Sequence, residues 1–352
     1  MKFLSYYLPQ FHVIPENEEW HGAGFTEWTN VRKAQPLFPG HDQPRVPHVD
    51  ISYYNLDSSA PLMKQAELMA QFGVYGQIFY HYWFDGKLLL EKPAQLLLSD
   101  LDIDMPFAFC WANENWTQNW SGGDKSVLIK QNYSETDAKN FIEYLIPFFK
   151  DSRYVRVNNR PLLIVYKTAQ IPNLNETVAI WNGACLSHGL PSPYLLSVET
   201  VLDSRIVEAG FAGTIERPLY NFHELDHLKL NPQTSDFNNH EGTILSYKDV
   251  VAHYSNWESK SALPQHPSVV VNWDVSPRHG KSALILRDGD AEAFGEWLEE
   301  AANYSATQFD LNEQLVFINA WNEWAEGAYL EPDSRNQYSY LQAVKRIFDK
   351  YN

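Results

Sequence analysis

Cysteine is scarce in this 352-residue chain: Cys110 and Cys185 are the two present, and they form no Cys-x-x-Cys pair. A zinc site built on thiolates is therefore excluded, and two isolated thiols read as reduced core residues. Basic residues are few as well, with 27 Lys and Arg against 44 Asp and Glu and a formal net charge of -17. Nucleic acid as a main partner needs clustered Lys and Arg to neutralise phosphates, so this balance argues against it. It argues equally against an anionic membrane surface, and it also fits plain solubility. Long apolar runs are missing, so no membrane insertion is expected. The first residues, Met1-Lys2-Phe3-Leu4-Ser5-Tyr6-Tyr7, have no apolar stretch before a cleavage site, and the expected location is cytoplasmic. No Gly-x-Ser-x-Gly elbow occurs, which disfavours a serine hydrolase.

What the chain has in quantity is aromatic residues: 12 Trp, 20 Tyr and 19 Phe. Sugar rings present flat C–H faces, and indole and phenol rings cover such faces at low entropic cost. Large cores use the same residues, so composition only leans toward carbohydrate. Hydrophobic residues make up 44% and charged residues 20%, enough apolar surface for a sizeable core.

Short apolar runs alternate with amphipathic stretches from end to end. The runs cover residues 3–8, 74–84, 106–112, 162–166, 194–198, 213–215, 269–273 and 315–321. Helical signals fall between them. Ser59 and Pro61 open a periodic stretch that Gly73 ends, and Ser134 with Asp137 resembles a capping box. Further stretches cover 175–188, 202–209, 291–304 and 338–351. Eight strand–helix alternations predict a single (β/α)8 TIM barrel over residues 1–352 with long βα loops. A doubly wound sheet is second, because no glycine-rich phosphate loop follows the first run. Two links are long, 9–55 and 221–266, and links of that length usually carry function or are insertions.

In such barrels the chemistry sits where strands end. Those ends read His81-Tyr82-Trp83, Trp111-Ala112-Asn113-Glu114-Asn115-Trp116, Glu199, Glu216-Arg217, Asn272-Trp273-Asp274 and Trp321-Asn322-Glu323-Trp324-Ala325-Glu326. Carboxylates, amides and indoles converging on one mouth are what glycoside chemistry needs: acid–base groups, hydroxyl binders and stacking surfaces. Glu323 and Glu326 are the sharpest pair. In a regular strand residues three apart face opposite sides, so both reach one site only if the chain leaves β geometry near Trp324, and Gly327 supports such a turn. The competing reading has one at the mouth and the other in a salt bridge. Glu114 sits in a matching Asn-Glu step and reads as a hydroxyl-binding or orienting residue. The segment Gly24-Phe25-Thr26-Glu27-Trp28-Thr29-Asn30 lies in the first long link and could roof the site or be a packed loop. His12, His41, His48 and His81 show no His-x-His or His-x3-His spacing, so neither a metal nor another cofactor is expected. Asp102-Ile103-Asp104 precedes the third strand and reads as a turn.

These stretches resemble the WbsX-type family, relatives of the endo-α-mannosidases of glycoside hydrolase family 99. Tyr6-Tyr7-Leu8-Pro9-Gln10-Phe11-His12, Gly24 to Val31, His81 to Phe84, Trp111 to Trp116 and Asn319 to Gly327 carry the first resemblance over nearly the whole chain. Asn322-Glu323-Trp324 with Glu326-Gly327 and Leu330-Glu331-Pro332 carry the second. The resemblance implies a retaining mechanism on α-mannosides. In it Glu323 deprotonates the substrate's 2-hydroxyl, giving a 1,2-anhydro sugar, while Glu326 protonates the leaving oxygen and then activates water. WbsX-type proteins are also associated with glycosyl transfer in bacterial O-antigen or capsule synthesis, which is the alternative. A sugar-binding module without catalysis would leave the carboxylate pair without a role. The expected partner is an oligo- or polysaccharide. The residues expected to contact it are Tyr7, Glu27, Trp28, His81, Trp83, Trp111, Asn113, Glu114, Trp116, Glu199, Glu216, Trp273, Trp321, Asn322 and Trp324.

Overall fold

The computed structural model describes residues 1–117, 127–198, 203–219, 222–230, 240–255 and 261–352. Among the described residues nine strands make a nearly closed parallel barrel: β1 (Lys2–Tyr7), β2 (Gly76–Phe84), β3 (Phe107–Trp111), β4 (Arg160–Val165), β5 (Tyr194–Val198), β6 (Gly213–Ile215), β7 (Gln265–His266), β8 (Ser268–Val270) and β9 (Leu315–Asn319). They pair in the order β7-β6-β5-β4-β3-β2-β1-β9-β8. The two ends of this path, β7 and β8, are separated in the chain by Pro267 alone. Proline has no N–H to give a ladder, so the expected seventh strand is split at that residue. It also starts earlier and ends sooner than 269–273: β7 pairs with β6, and β8 pairs with β9 through Val270.

The strands carry Val, Ile, Leu and Phe on both faces because both faces are covered. Phe107, Phe109, Leu163, Ile164, Val269 and Phe317 are completely buried. Burying each such side chain contributes roughly 1.5–3 kcal/mol. Outside lie α3 (Ser59–Phe72), α4 (Lys92–Ser99), α5 (Glu135–Lys150), α6 (Leu174–Ser187), α7 (Arg205–Glu208), α10 (Ala291–Gln308) and α11 (Ser339–Tyr351). Gly73 ends α3 with φ 78°, a left-handed cap that other residues adopt only with strain. The Ser134 side chain accepts from the Asp137 backbone N–H and starts α5.

The two long links are structured. The first holds α1 (Pro15–His21) and α2 (Glu27–Lys33), with Thr26 and Thr29 forming a capping box at the start of α2. The second, read from sequence as a loop, contains Thr243–Ser246, which pairs in parallel with Leu284–Arg287, followed by α8 (Tyr247–Ser255). A short helix, α9 (Ser276–His279), follows β8. Among the described residues no helix is long and apolar enough to cross a membrane.

Candidate active site

The chain leaves β9 and makes a small antiparallel hairpin, Asn322–Glu323 against Ala328–Tyr329, around a 3-10 turn over Trp324–Glu326. Gly327 closes the turn at φ 65°, and a Cβ there would meet the Asp274 backbone nitrogen at 2.9 Å. Asp274 N–H in turn donates to the Glu326 carbonyl at 2.6 Å. The turn is the departure from strand geometry that the spacing of Glu323 and Glu326 demands. It brings both side chains to one cleft.

That cleft, at the C-terminal ends of the strands, offers about 520 Å³ of space including its open mouth. Tyr80 and Tyr82 of β2, Trp116, Tyr166 and Arg217 line it together with Glu114, Glu323 and Glu326. A second hollow of about 940 Å³ shares Glu114, Asn115 and Glu326 with it and adds Gln170, Arg278 and His279.

Arg278, on α9, ties the carboxylates together. Its guanidinium is 2.5 Å from Glu326, 3.3 Å from Glu323 and 2.8 Å from Glu27 at the start of α2. Its Nε also donates to Glu27 at 3.0 Å. Burial alone would lower the Arg278 pKa, but Glu27, Glu326 and Glu323 outweigh it and hold the guanidinium charged. Glu323 is 4% exposed. Burial pushes its pKa well above the usual carboxylate range, and Glu326 and Glu27 push it further, against the opposing pull of Arg278 and Arg217. Burial and the two neighbouring carboxylates thus favour the protonated form of Glu323.

Two Asn-Glu steps are built alike. The Asn322 amide accepts from the Leu8 N–H at 2.7 Å and donates to the Leu8 carbonyl at 3.0 Å. The Asn113 amide does the same to Lys167, accepting at 2.7 Å and donating at 2.9 Å. In each case the buried amide holds the chain just beyond a neighbouring strand, β1 or β4, and the next residue, a Glu, lines the cleft. Glu114 pairs there with the Lys167 ammonium.

Several residues expected at the substrate lie elsewhere, and alternation along the strands is the reason. On β2, Tyr80 and Tyr82 face the cleft. His81 and Trp83 face outward, against Tyr144 and Phe141 of α5, and Trp83 Nε1 donates to Asp137 at 2.7 Å. Burial drops the His81 pKa to about 3, so it is a neutral core ring. Tyr7 points away from the barrel axis and donates to Gln65 of α3 at 2.8 Å. Trp111 stacks on Phe141, 4.5 Å between centroids. Glu216 accepts from the Ser268 N–H and lines a separate hollow beside Trp297 and Tyr304 of α10, whereas its neighbour Arg217 enters the cleft. Trp273 is half-buried between two apolar clusters. Trp28 donates to the Tyr54 carbonyl and packs on Trp324, 5.3 Å between centroids. Glu27 reaches the site through Arg278. Glu199 lies outside the described residues.

Trp321 and Trp324 point away from the cleft to Glu331. This buried carboxylate accepts from Trp324 Nε1 and Gln65 Nε2, each at 2.7 Å, and from Trp321 Nε1 and the Tyr54 hydroxyl, each at 3.0 Å. Burial raises its pKa to about 7 against the pull of those four donors. Because every partner donates, an amide there turns its own N–H₂ toward donors. Glu331→Gln is expected to cost roughly 2–4 kcal/mol of stability, read by urea denaturation at pH 8. A loss within measurement error would show that these donors find other acceptors.

Tyr80, Tyr166, Arg278 and Glu331 are the residues the strand-end rule did not single out, while Tyr82 and Arg217 stood among the strand ends but not among the expected substrate contacts. Among the described residues no group of three or more His, Cys, Asp or Glu is arranged to hold a metal ion.

Comparison with known proteins places this geometry in context. Residues 3–344 match the family described as Glycosyltransferase WbsX. Two proteins from Xanthomonas campestris pv. campestris strains, both described as uncharacterized protein WxcX, are 34% identical over 355 aligned residues. The alignment covers 99% of this chain and 49% of theirs, so the chain spans about half the length of these curated relatives. Among solved structures, a GH99 endo-alpha-mannosidase from Bacteroides thetaiotaomicron aligns with a TM-score of 0.58 at 13% identity, covering 99% of this chain and 97% of that one. A glycoside hydrolase-like protein aligns with a TM-score of 0.59 at 11% identity, covering 99% and 93%. At these identities the likeness is one of fold.

Proposed function

The chain belongs to the WbsX family and has the fold of a glycoside hydrolase, and from that premise we propose that it is a retaining glycoside hydrolase acting on α-mannoside-like linkages. The observation that carries the reading is that Glu323 and Glu326 meet at one guanidinium, Arg278, inside an aromatic cleft at the C-terminal ends of the strands. Glu323 is assigned as base toward the substrate's 2-hydroxyl, and Glu326 as acid and then base at the departing and entering oxygens. Mannose O2 is axial and reaches the back of C1 opposite an axial leaving group, so the route needs no nucleophile from the protein. The O2–H proton passes to Glu323, O2 bonds to C1, the C1–O bond to the leaving group breaks, and Glu326 gives its proton to the departing oxygen. Water, deprotonated by Glu326, then opens the 1,2-anhydro sugar at C1 while O2 takes the proton back from Glu323.

This sequence needs a proton on Glu326 and an ionised Glu323, whereas the surroundings of Glu323 in the free protein favour its protonated form. Substrate entry has to favour the ionised form of Glu323 as the glycosidic oxygen takes the place of Arg278 at Glu326. The strongly raised affinity of Glu323 for protons makes it a strong base once that shift has occurred.

The experiment is turnover of aryl α-mannosides followed by NMR. The expected first product is the α-anomer, and a 2-deoxy-2-fluoro substrate, which lacks the attacking oxygen, is not cleaved. An inverted first product, or cleavage of the fluoro compound at an undiminished rate, would falsify the assignment. The family description also supports a second reading, glycosyl transfer by the same pair with a sugar hydroxyl in place of water. Adding acceptor sugars to the same assay separates the two by whether longer glycosides or free sugar accumulate.

A further inference from the structure

Arg217 is not used by the acid–base scheme above. It follows β6, lines the cleft beside Glu323 and Glu326, and is only partly exposed. Among the described residues the other cations in or next to the two hollows are engaged. Arg278 holds Glu27, Glu323 and Glu326, and Lys167 holds Glu114. Arg217 has phenols instead. Its guanidinium lies 5.9 Å from the centroid of the Tyr166 ring and donates toward the Tyr166 hydroxyl. Among the described residues no carboxylate pairs with it. Tyr6 and Tyr80 are the next groups around it, and Glu326 acts on it only through space.

A cation withdrawn from water and faced by phenols is costly until it meets an anion. A planar guanidinium is also the group that a carboxylate or a phosphate engages through two parallel hydrogen bonds. The acidic side chains nearby do not fill this role. Arg278 holds Glu326 at 2.5 Å and Glu323 at 3.3 Å. The opening at Arg217 is continuous with the space where a sugar ring must sit for Glu323 to reach it.

We propose that Arg217 receives an anionic group borne by the sugar, a uronic carboxylate or a phosphate ester, so that the glycan this cleft takes is acidic rather than neutral. The proposal rests on the glycoside-binding reading of the cleft and not on the direction or route of its chemistry. Because every neutral hydroxyl of a sugar offers at best one uncharged acceptor to the fork, an anion at this position outcompetes it.

The test is saturation-transfer NMR titration of the full chain with three ligands: mannose, mannuronate and mannose 6-phosphate. The two anions separate the sources of charge. At least one of them is expected to bind about tenfold tighter than mannose at low salt, the preference falling as salt rises. Arg217→Met is expected to collapse that ratio to near one, and Arg217→Lys to keep part of it, since it retains the charge and loses the fork. Equal affinity for all three ligands in the unaltered protein, or no detectable binding of either anion, overturns the proposal whatever the variants do. So does an Arg217→Met protein that folds and keeps the full preference. Binding rather than turnover is read, so a protein that prefers the anion and cleaves nothing would count against the hydrolase reading and leave this one standing.

Discussion

Glu323→Gln is expected to lower kcat/KM by about 10²–10⁴-fold on every cleaved α-mannoside, whatever the leaving group. Its carboxylate is assigned to the proton on O2, and that proton must leave before or as O2 attacks C1. Glutamine keeps the shape of the side chain in its buried slot and removes the base. Glu326→Gln is expected to behave differently. The acid helps the departing oxygen in proportion to that oxygen's basicity, so a dinitrophenyl group leaves without it and a methyl or sugar group does not. The loss in kcat/KM should therefore be slight on the dinitrophenyl glycoside and reach about 10²–10⁴-fold on a disaccharide. kcat falls on both, because water activation in the second step still needs Glu326. Losses that are the same for the two variants across leaving groups would show that the two carboxylates are not divided between O2 and the leaving oxygen. Both variants are expected to fold, since the turn is held by Gly327, Asp274 and the Glu331 hydrogen bonds rather than by the acid pair.

Much of this was visible in the order of residues. Apolar runs spaced by capped helices gave the barrel, and the ends of those runs gave the mouth. What they could not give is parity. The segment His81-Tyr82-Trp83 does not say which face is inward, since β2 is apolar on both sides. Inward and outward positions then carry equally aromatic residues, and alternation loses its signal. The outward set, Tyr7, His81, Trp83 and Trp111, packs under α3, α5 and α6, while the inward neighbours Tyr80, Tyr82 and Arg217 reach the cleft. A signal for the Asn-Glu repeat did exist. Asn113-Glu114 and Asn322-Glu323 each place a backbone-clamping amide before a cleft carboxylate, and the resemblance of the two steps was legible before their geometry was. Arg278 was not legible, because it lies on a four-residue helix after a strand split at Pro267. Glu331 was equally hidden, because its role depends on donors from Tyr54 and Gln65 that come from distant parts of the chain.

Arg278→Met and Glu27→Gln are expected to shift the pH dependence of kcat/KM in opposite directions. The basic limb of that profile reports loss of the proton the acid pair needs for turnover, and the surroundings of Glu323, which raise its pKa, set where that loss falls. Among the described residues the charged or titratable groups facing that carboxyl are Glu326 from the same hairpin, Glu27 from α2, Arg278 and His279 from α9, Arg217 beyond β6, and Tyr80 and Tyr82 from β2. Burial and Glu326 raise the Glu323 pKa, Glu27 adds to the rise, and Arg278 opposes it. Taking away the cation therefore moves the basic limb to higher pH, and taking away the Glu27 charge moves it lower. The stability cost follows the same signs. Arg278→Met leaves Glu27, Glu323 and Glu326 without the cation between them, a loss of about 3–5 kcal/mol for breaking a buried pair, reduced wherever a carboxyl can take up a proton. A carboxyl whose folded pKa is raised favours the folded state most below its unfolded pKa, and that contribution is lost as pH rises through the folded value. The deficit of Arg278→Met relative to the unaltered protein should accordingly be smallest in mild acid and grow toward pH 9 in urea titrations. Limbs that move the same way in both variants, or a deficit that shrinks as pH rises, would mean that the guanidinium holds the hairpin in place without setting the charge of the pair.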